Sequence, residues 1–275
     1  MPGSRRRRIY EGKDIDDPMI KSLAAAFGFL TVFPIPLKRT LLPGDMGKSM
    51  AFFPVVGVIL GGILLLADKT LLSIFPRSVA DLILISLLAL ITGGVHLDGL
   101  ADTFDGLYGG KTREETLSIM KDSRVGAIGA VSLIIIIGLK YTSLQSYSLA
   151  YSPAIPQTLK YTALLLMPIL SRWSIVLMAC LSGYARQTRG TGKDFVETVS
   201  PLSLLTATIF ASATAGLMMG WRGGIVILFI GGITLIGVIY FKKRLGGVTG
   251  DVLGAVNEVN EVMVLLVILI MSQFK

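Results

Sequence analysis

The fold class predicted by the sequence is all-α: a polytopic helical bundle embedded in a lipid bilayer, with about seven spans and an N-terminal re-entrant or interfacial segment. Three observations predict it. Mean hydropathy is +0.71 and only 16% of the 275 residues are charged, whereas about a quarter are charged in an ordinary soluble domain. Apolar runs of the length needed to cross a hydrocarbon layer of about 30 Å, roughly 20 residues each, recur along the chain. Most of the Lys and Arg residues fall in alternate loops, as they do when one side of the membrane is cytoplasmic.

The opening MPGSRRRRIYEGKDIDDP reads as a basic cytoplasmic tail, residues 1–18. It is not read as a signal peptide, because Glu11, Lys13, Asp14, Asp16, Asp17 and Lys21 separate the arginines from the first apolar run. Residues 19–275 read as a single membrane-embedded catalytic domain. Segment 19–37 ends in FPIP, where two prolines prevent a regular helical finish; this is the re-entrant or interfacial segment. Spans follow near 50–67, 79–94, 126–145, 160–181, 201–219, 223–241 and 250–272.

With the first segment not crossing, one set of cytoplasmic positions holds Arg5, Arg6, Arg7, Arg8, Lys13, Lys21, Lys38, Arg39 and Lys48. A second holds Lys111, Arg113, Lys121, Arg124, Arg186, Arg189, Lys193, Lys242, Lys243 and Arg244. Lys69, Arg77, Lys140, Lys160, Arg222 and Lys275 go to the far side or to span ends, and loop 146–159 has no charge. The reading is an integral protein of the cell (cytoplasmic) membrane whose functional segments face the cytoplasm. The net charge of +8 then reports orientation and attraction to the anionic lipid bilayer; with no recognition motif, no nucleic-acid partner is expected. The single Cys180 excludes an internal disulfide and a cysteine metal site. Glycine pairs at 61–62, 223–224 and 231–232 read as close helix packing, and such faces allow a homodimer. No repeat of an inverted-topology transporter is evident.

Chemistry concentrates in GGVHLDGLADTFDG, residues 93–106, which places the only histidine, His96, beside Asp98, Asp102 and Asp105. On a helix the aspartates sit at i, i+4 and i+7 and share a face. Three like charges repel, and hard oxygen donors at a membrane boundary suit Mg²⁺ or Mn²⁺, with substrate phosphates and water completing the coordination. The structural alternative is that the aspartates cap helices or pair with Arg113 and Arg124. KDSRVGAIG, residues 121–129, offers Asp122 as a further metal ligand and Lys121 and Arg124 as holders of phosphate oxygens; the alternative is snorkelling boundary charges. GGVTGDVLGAVNEVNEV, residues 246–262, offers Gly247 and Gly250 for an anion at a helix start. It also offers Asp251, Glu258 and Glu261, carboxylates that enter a membrane helix and complete the site opened by Asp98. Arg172, inside a span, requires an acidic partner or an anionic ligand.

Those three motifs, with FLTVFPIP, FFPVVGVILGG, SRW and YAR in the same order, resemble the cobalamin synthase family, the adenosylcobinamide-GDP ribazoletransferases. The resemblance covers nearly the whole chain, and HLDGLADTFDG with GGVTGDVLGA is its specific part. It implies a Mg²⁺-dependent transferase that joins adenosylcobinamide-GDP to α-ribazole or its 5′-phosphate and releases GMP. Under that implication Asp98, Asp102, Asp105, Asp122 and Asp251 are metal ligands, and Lys121 and Arg124 act on the phosphates. His96 or a free carboxylate takes the proton, and Arg172, Gly247, Gly250, Asn257, Glu258 and Glu261 serve the substrates. Loop YARQTRGTGKDF is slightly longer than the family pattern. Two rivals fit less well. A CDP-alcohol phosphatidyltransferase would carry its aspartates in one continuous stretch, and an ion-coupled transporter would distribute its acids near the midplane of several spans.

Overall fold

The computed structural model describes residues 17–34, 42–147, 157–186 and 192–273. The arginine tail, Lys38 and Arg39, the uncharged loop 148–156 and Arg189 lie outside the described residues. Twelve helices run in order among the described residues: α1 Pro18–Leu30, α2 Pro43–Ser49, α3 Phe53–Leu71, α4 Arg77–Ile91, α5 Val95–Gly109, α6 Arg113–Ile119, α7 Ala127–Ser146, α8 Gln157–Leu181, α9 Lys193–Thr198, α10 Pro201–Met219, α11 Trp221–Leu245 and α12 Gly250–Gln273. The only β pairing among them is an isolated parallel bridge, Tyr184 to Val248.

Six helical stretches are long and apolar enough to cross a membrane: Gly44–Leu71, α7, α8, α10, α11 and α12. The seventh expected span, near 79–94, falls on α4, which at 15 residues is followed by α5 at an angle of 89°. Thr92 ends α4, and Gly93 and Gly94 turn the chain with φ of 66° and 68°, a left-handed backbone that a β-carbon disfavours. The two glycines that open the acidic motif are thus a corner. Beyond it, α5 leaves the spanning direction and runs across one end of the bundle, over the starts of α7 and α12. At 13 residues α1 is shorter than the roughly 20 that a crossing requires. Asp17 caps it, accepting from the Met19 amide at 2.8 Å, with Pro18 in the first turn.

α8 is the most enclosed span, and α3 lies against it where Gly57 and Gly61 carry no side chain: a β-carbon at Gly57 would stand 2.5 Å from the Pro168 carbonyl oxygen. Each predicted glycine pair divides in the same way. Gly61, Gly223 and Gly231 face a neighbouring helix, while Gly62, Gly224 and Gly232 face open space.

Two of the lysines expected on the far side or at span ends are buried, Lys160 at the start of α8 and Lys140 within α7. Lys160, fully buried, donates to Asp68 at 2.7 Å and Asp81 at 2.5 Å, and Gln145 donates to Asp81 at 2.6 Å. Lys140 on α7 lies deeper, between Glu258 and Glu261 of α12, at 2.5 Å from each. The reason is elementary: an ammonium inside a span is stable only beside a carboxylate, and both lysines have two.

Candidate active site

The crossing of α5 over α12 assembles the acidic residues, and glycine makes the crossing close. A β-carbon at Gly99 would stand 2.7 Å from the Asp251 carbonyl oxygen, and one at Gly254 would stand 3.1 Å from the His96 Cα. Two helices approach so tightly only where side chains are missing from both. Asp98 and Asp102 from α5 and Asp251 from the first turn of α12 become electrostatic neighbours. Asp98 is exposed, and neither the Asp98 nor the Asp102 carboxylate makes a hydrogen bond or ion pair among the described residues. Burial first, and then the charges of Asp98 and Asp251, push the Asp102 carboxyl up to about 6. Such a carboxylate wants a cation.

Asp251 has one already. It accepts from Arg186 at 2.8 Å and from the Thr249 hydroxyl at 3.3 Å. Arg186 is held in place by the bridge beside it, in which the Ala185 amide donates to Val248 and the Val248 amide to Gly183, each at 2.9 Å. Gly247 serves this bridge, because a β-carbon there would meet the Gly183 carbonyl oxygen at 2.2 Å. Arg113 braces the same loop by donating to the Leu245 and Ala185 carbonyls at 2.6 and 2.7 Å. Arg186 received no role from sequence reasoning; the YAR motif, a guanidinium beside an acidic site, was the signal that could have found it.

Asp105 and Asp122 do not join the other three aspartates. Asp105 accepts from the Gly126 amide at 2.6 Å and the Gly129 amide at 2.7 Å, capping the start of α7 from another helix. The two glycines of KDSRVGAIG leave room for it: a β-carbon at either would lie within 2.4 Å of its carboxylate. Asp122 is bound by Arg124 at 2.5 and 3.0 Å, and that guanidinium holds its carboxyl down at about 2. Arg124 is 86% exposed at its side chain, and Lys121 is exposed beside it. No group of three or more His, Cys, Asp or Glu side chains stands at metal-holding spacing among the described residues. Of the five aspartates expected as ligands, Asp98, Asp102 and Asp251 are thus brought together, while Asp105 and Asp122 are engaged elsewhere.

Four residues expected on the substrate form a buried layer beneath this surface. Arg172, fully buried, donates to Glu261 and, at 2.9 Å, to Ser171. Asn257 donates to Glu261 at 3.1 Å, and Glu261 and Glu258 share Lys140. Their partners are one another, Lys140 and Ser171. His96 lies between this layer and the surface, 7% exposed and with no partner at Nδ1.

A cavity of about 300 Å³ opens beside the aspartates, bounded by residues of α1, α3, α5, α8, α9 and α12; Asp98, His96, Gly250 and Asp251 form one wall. Hard oxygen donors, an arginine and a sizeable cavity at a membrane boundary can hold a phosphorylated substrate.

Comparison with known proteins bears on that chemistry. The family profile described as cobalamin-5-phosphate synthase matches residues 22–269. The chain is 39% identical over 252 residues to an adenosylcobinamide-GDP ribazoletransferase of Geotalea daltonii, covering 90% of this chain and 96% of that one. It is 37% identical to the protein so described in Syntrophobacter fumaroxidans (90% and 97% covered) and 36% identical to that of Acetivibrio thermocellus (90% and 96%). No solved structure matches.

Proposed function

The chain belongs to the cobalamin-5-phosphate synthase family, and from this premise we propose that it joins adenosylcobinamide-GDP to α-ribazole or α-ribazole 5′-phosphate. The products are adenosylcobalamin or its 5′-phosphate, and GMP. The observation that carries the reading is the glycine-lined crossing of α5 and α12, which unites the motif of Asp98 and Asp102 with that of Asp251.

In the reaction an oxygen of the acceptor ribose attacks the phosphorus attached to the cobinamide side chain. The bond from that phosphorus to the GMP oxygen breaks, and the hydroxyl proton passes to a base. Asp98 and Asp102 fit a magnesium ion, with Mn²⁺ an alternative, because they are hard-oxygen donors without partners and Asp102 resists carrying its charge alone. Asp251 stands ready as a third donor. Bound there, the ion would neutralise charge on the pyrophosphate. Arg186 holds Asp251 in place and presents donors to a phosphate oxygen. Lys121 and Arg124, both exposed, attract the anionic donor substrate. His96, or whichever carboxylate is left free, takes the proton. The displacement is in line, with no covalent intermediate on the protein, and the distribution of Lys and Arg supports a site on the cytoplasmic side.

The test is purified protein in nanodiscs with adenosylcobinamide-GDP, α-ribazole and Mg²⁺, followed by GMP detection. GMP release above a no-enzyme control is expected, and Asp98→Ala should abolish it while leaving the protein folded and extractable. Absence of GMP beside an active control enzyme would remove the reading. A reporter fused after Gly110 should read cytoplasmic; an external signal would reverse the orientation.

A further inference from the structure

The cavity has two unlike walls. One carries Asp98, His96 and Asp251. The other is aromatic: Phe29 of α1, Phe53 of α3 and Phe195 of α9 lie with ring centroids 4.1 to 6.0 Å apart. These rings come from three separate segments, and deliberate contacts bring them together. Lys21 pairs with Asp45 at 2.5 Å to tie α1 to α2, and the Gly47 amide donates to Thr198 at 3.0 Å to tie α2 to α9. Phe29 remains partly exposed, while Phe53 and Phe195 are buried behind it.

Resting on the ribazoletransferase reading above, we infer that this aromatic wall holds the benzimidazole base of the acceptor, with the ribose directed towards Asp98. A volume of about 300 Å³ is at the lower end of the range for small-molecule sites, enough for a riboside and far too small for a corrin. Two aromatic bases take part in the reaction, and polarity separates them. Guanine carries several donors and acceptors on its edges, and each one buried without a partner is costly. The cavity has few to offer on this side: the Thr92 hydroxyl is occupied by the Leu88 and Ala89 carbonyls at 2.9 and 3.2 Å. Facing the rings from the other wall, His96 is the cavity's unpartnered polar side chain, more than nine-tenths buried. A benzimidazole riboside has a single free ring nitrogen, so one imidazole can satisfy it. The short α1 thereby gains a role as a wall of the acceptor site.

The experiment measures both Michaelis constants for wild type, Phe29→Ala and Phe29→Leu in nanodiscs. Loss of one aromatic face should raise the KM for α-ribazole roughly tenfold in the alanine variant, less in the leucine variant, and leave the KM for adenosylcobinamide-GDP unchanged. Unchanged α-ribazole KM in active variants, or an equal rise in both constants, overturns the assignment while the transferase reading stands; a wild type that releases no GMP sinks that reading instead. Should the variants fail to fold, a photoactivatable benzimidazole riboside used on wild type should label peptides containing residues 18–30 or 193–198. Excess α-ribazole should prevent that labelling and guanosine should not. Protection by guanosine, or labelling confined to α11, would overturn the assignment.

Discussion

Replacing Glu261 by Gln removes one negative charge from a fully buried layer and leaves the shape almost unchanged. Glu261 is 0% exposed and accepts from Arg172, Lys140 and Asn257. Without its charge, Arg172 keeps the Ser171 hydroxyl and at most a neutral amide oxygen, and two cations face the single carboxylate of Glu258. Removing one partner of a buried ion pair costs about 3–5 kcal/mol. A chain of this size loses roughly 2–4 °C of melting temperature per kcal/mol, so a fall of about 10 °C is expected. Thermal unfolding followed by tryptophan fluorescence in detergent reads it directly. A second substitution, Arg172→Met on top of Glu261→Gln, rebalances the layer and should recover most of the loss. The reasoning is refuted if Glu261→Gln melts within about 2 °C of wild type, or if the double variant is no better than the single one. Unchanged melting together with a raised KM would return Glu261 to the substrate.

Two further outcomes follow from the geometry. Asp102 holds its proton to about 6, above the ordinary 3.8. The folded state therefore binds more protons than the unfolded one between those values, and the stability present below pH 4 is lost as pH rises through 6. The shift of about two units corresponds to about 3 kcal/mol, cut to about 1–2 by the group's partial exposure. In EDTA, wild type should lose a few degrees relative to Asp102→Asn between pH 4 and 7.5; parallel melting curves would rule this out. Gly99→Ala places a β-carbon 2.7 Å from the Asp251 backbone, which overpacking penalises by about 1–3 kcal/mol. Because it also parts α5 from α12, GMP release should fall more steeply than stability, and a fully active variant would contradict the glycine-lined crossing.

Most of the fold was legible because hydropathy over some twenty residues is a local property. The helix of His96 to Asp105 and the helix start at Gly250 were legible for the same reason. The corner at Gly93 and Gly94 was not, since a run of apolar residues does not disclose that its end turns through 89°. Charge was harder to read. Asp105 and Asp98 look alike in the sequence, but one caps a helix begun 22 residues later and the other has no partner. Lys140 resembled a boundary lysine because its two carboxylates lie 118 and 121 residues away. The aromatic wall could not be seen at all: Phe29, Phe53 and Phe195 meet only through the packing of α1, α2, α3 and α9.

The two buried lysines also impose an order on biosynthesis. When α8 enters the bilayer, Lys160 finds Asp68 and Asp81 on helices already made. Lys140 and Arg172, by contrast, await carboxylates on α12, which leaves the ribosome only after α7 and α8 are made. Until then α7 and α8 each carry a cation worth about 3 kcal/mol against insertion at a helix centre, offset only by the apolar remainder of the helix. A nascent chain truncated before residue 250 keeps every earlier span and still lacks the counter-charges that fix the middle of the bundle.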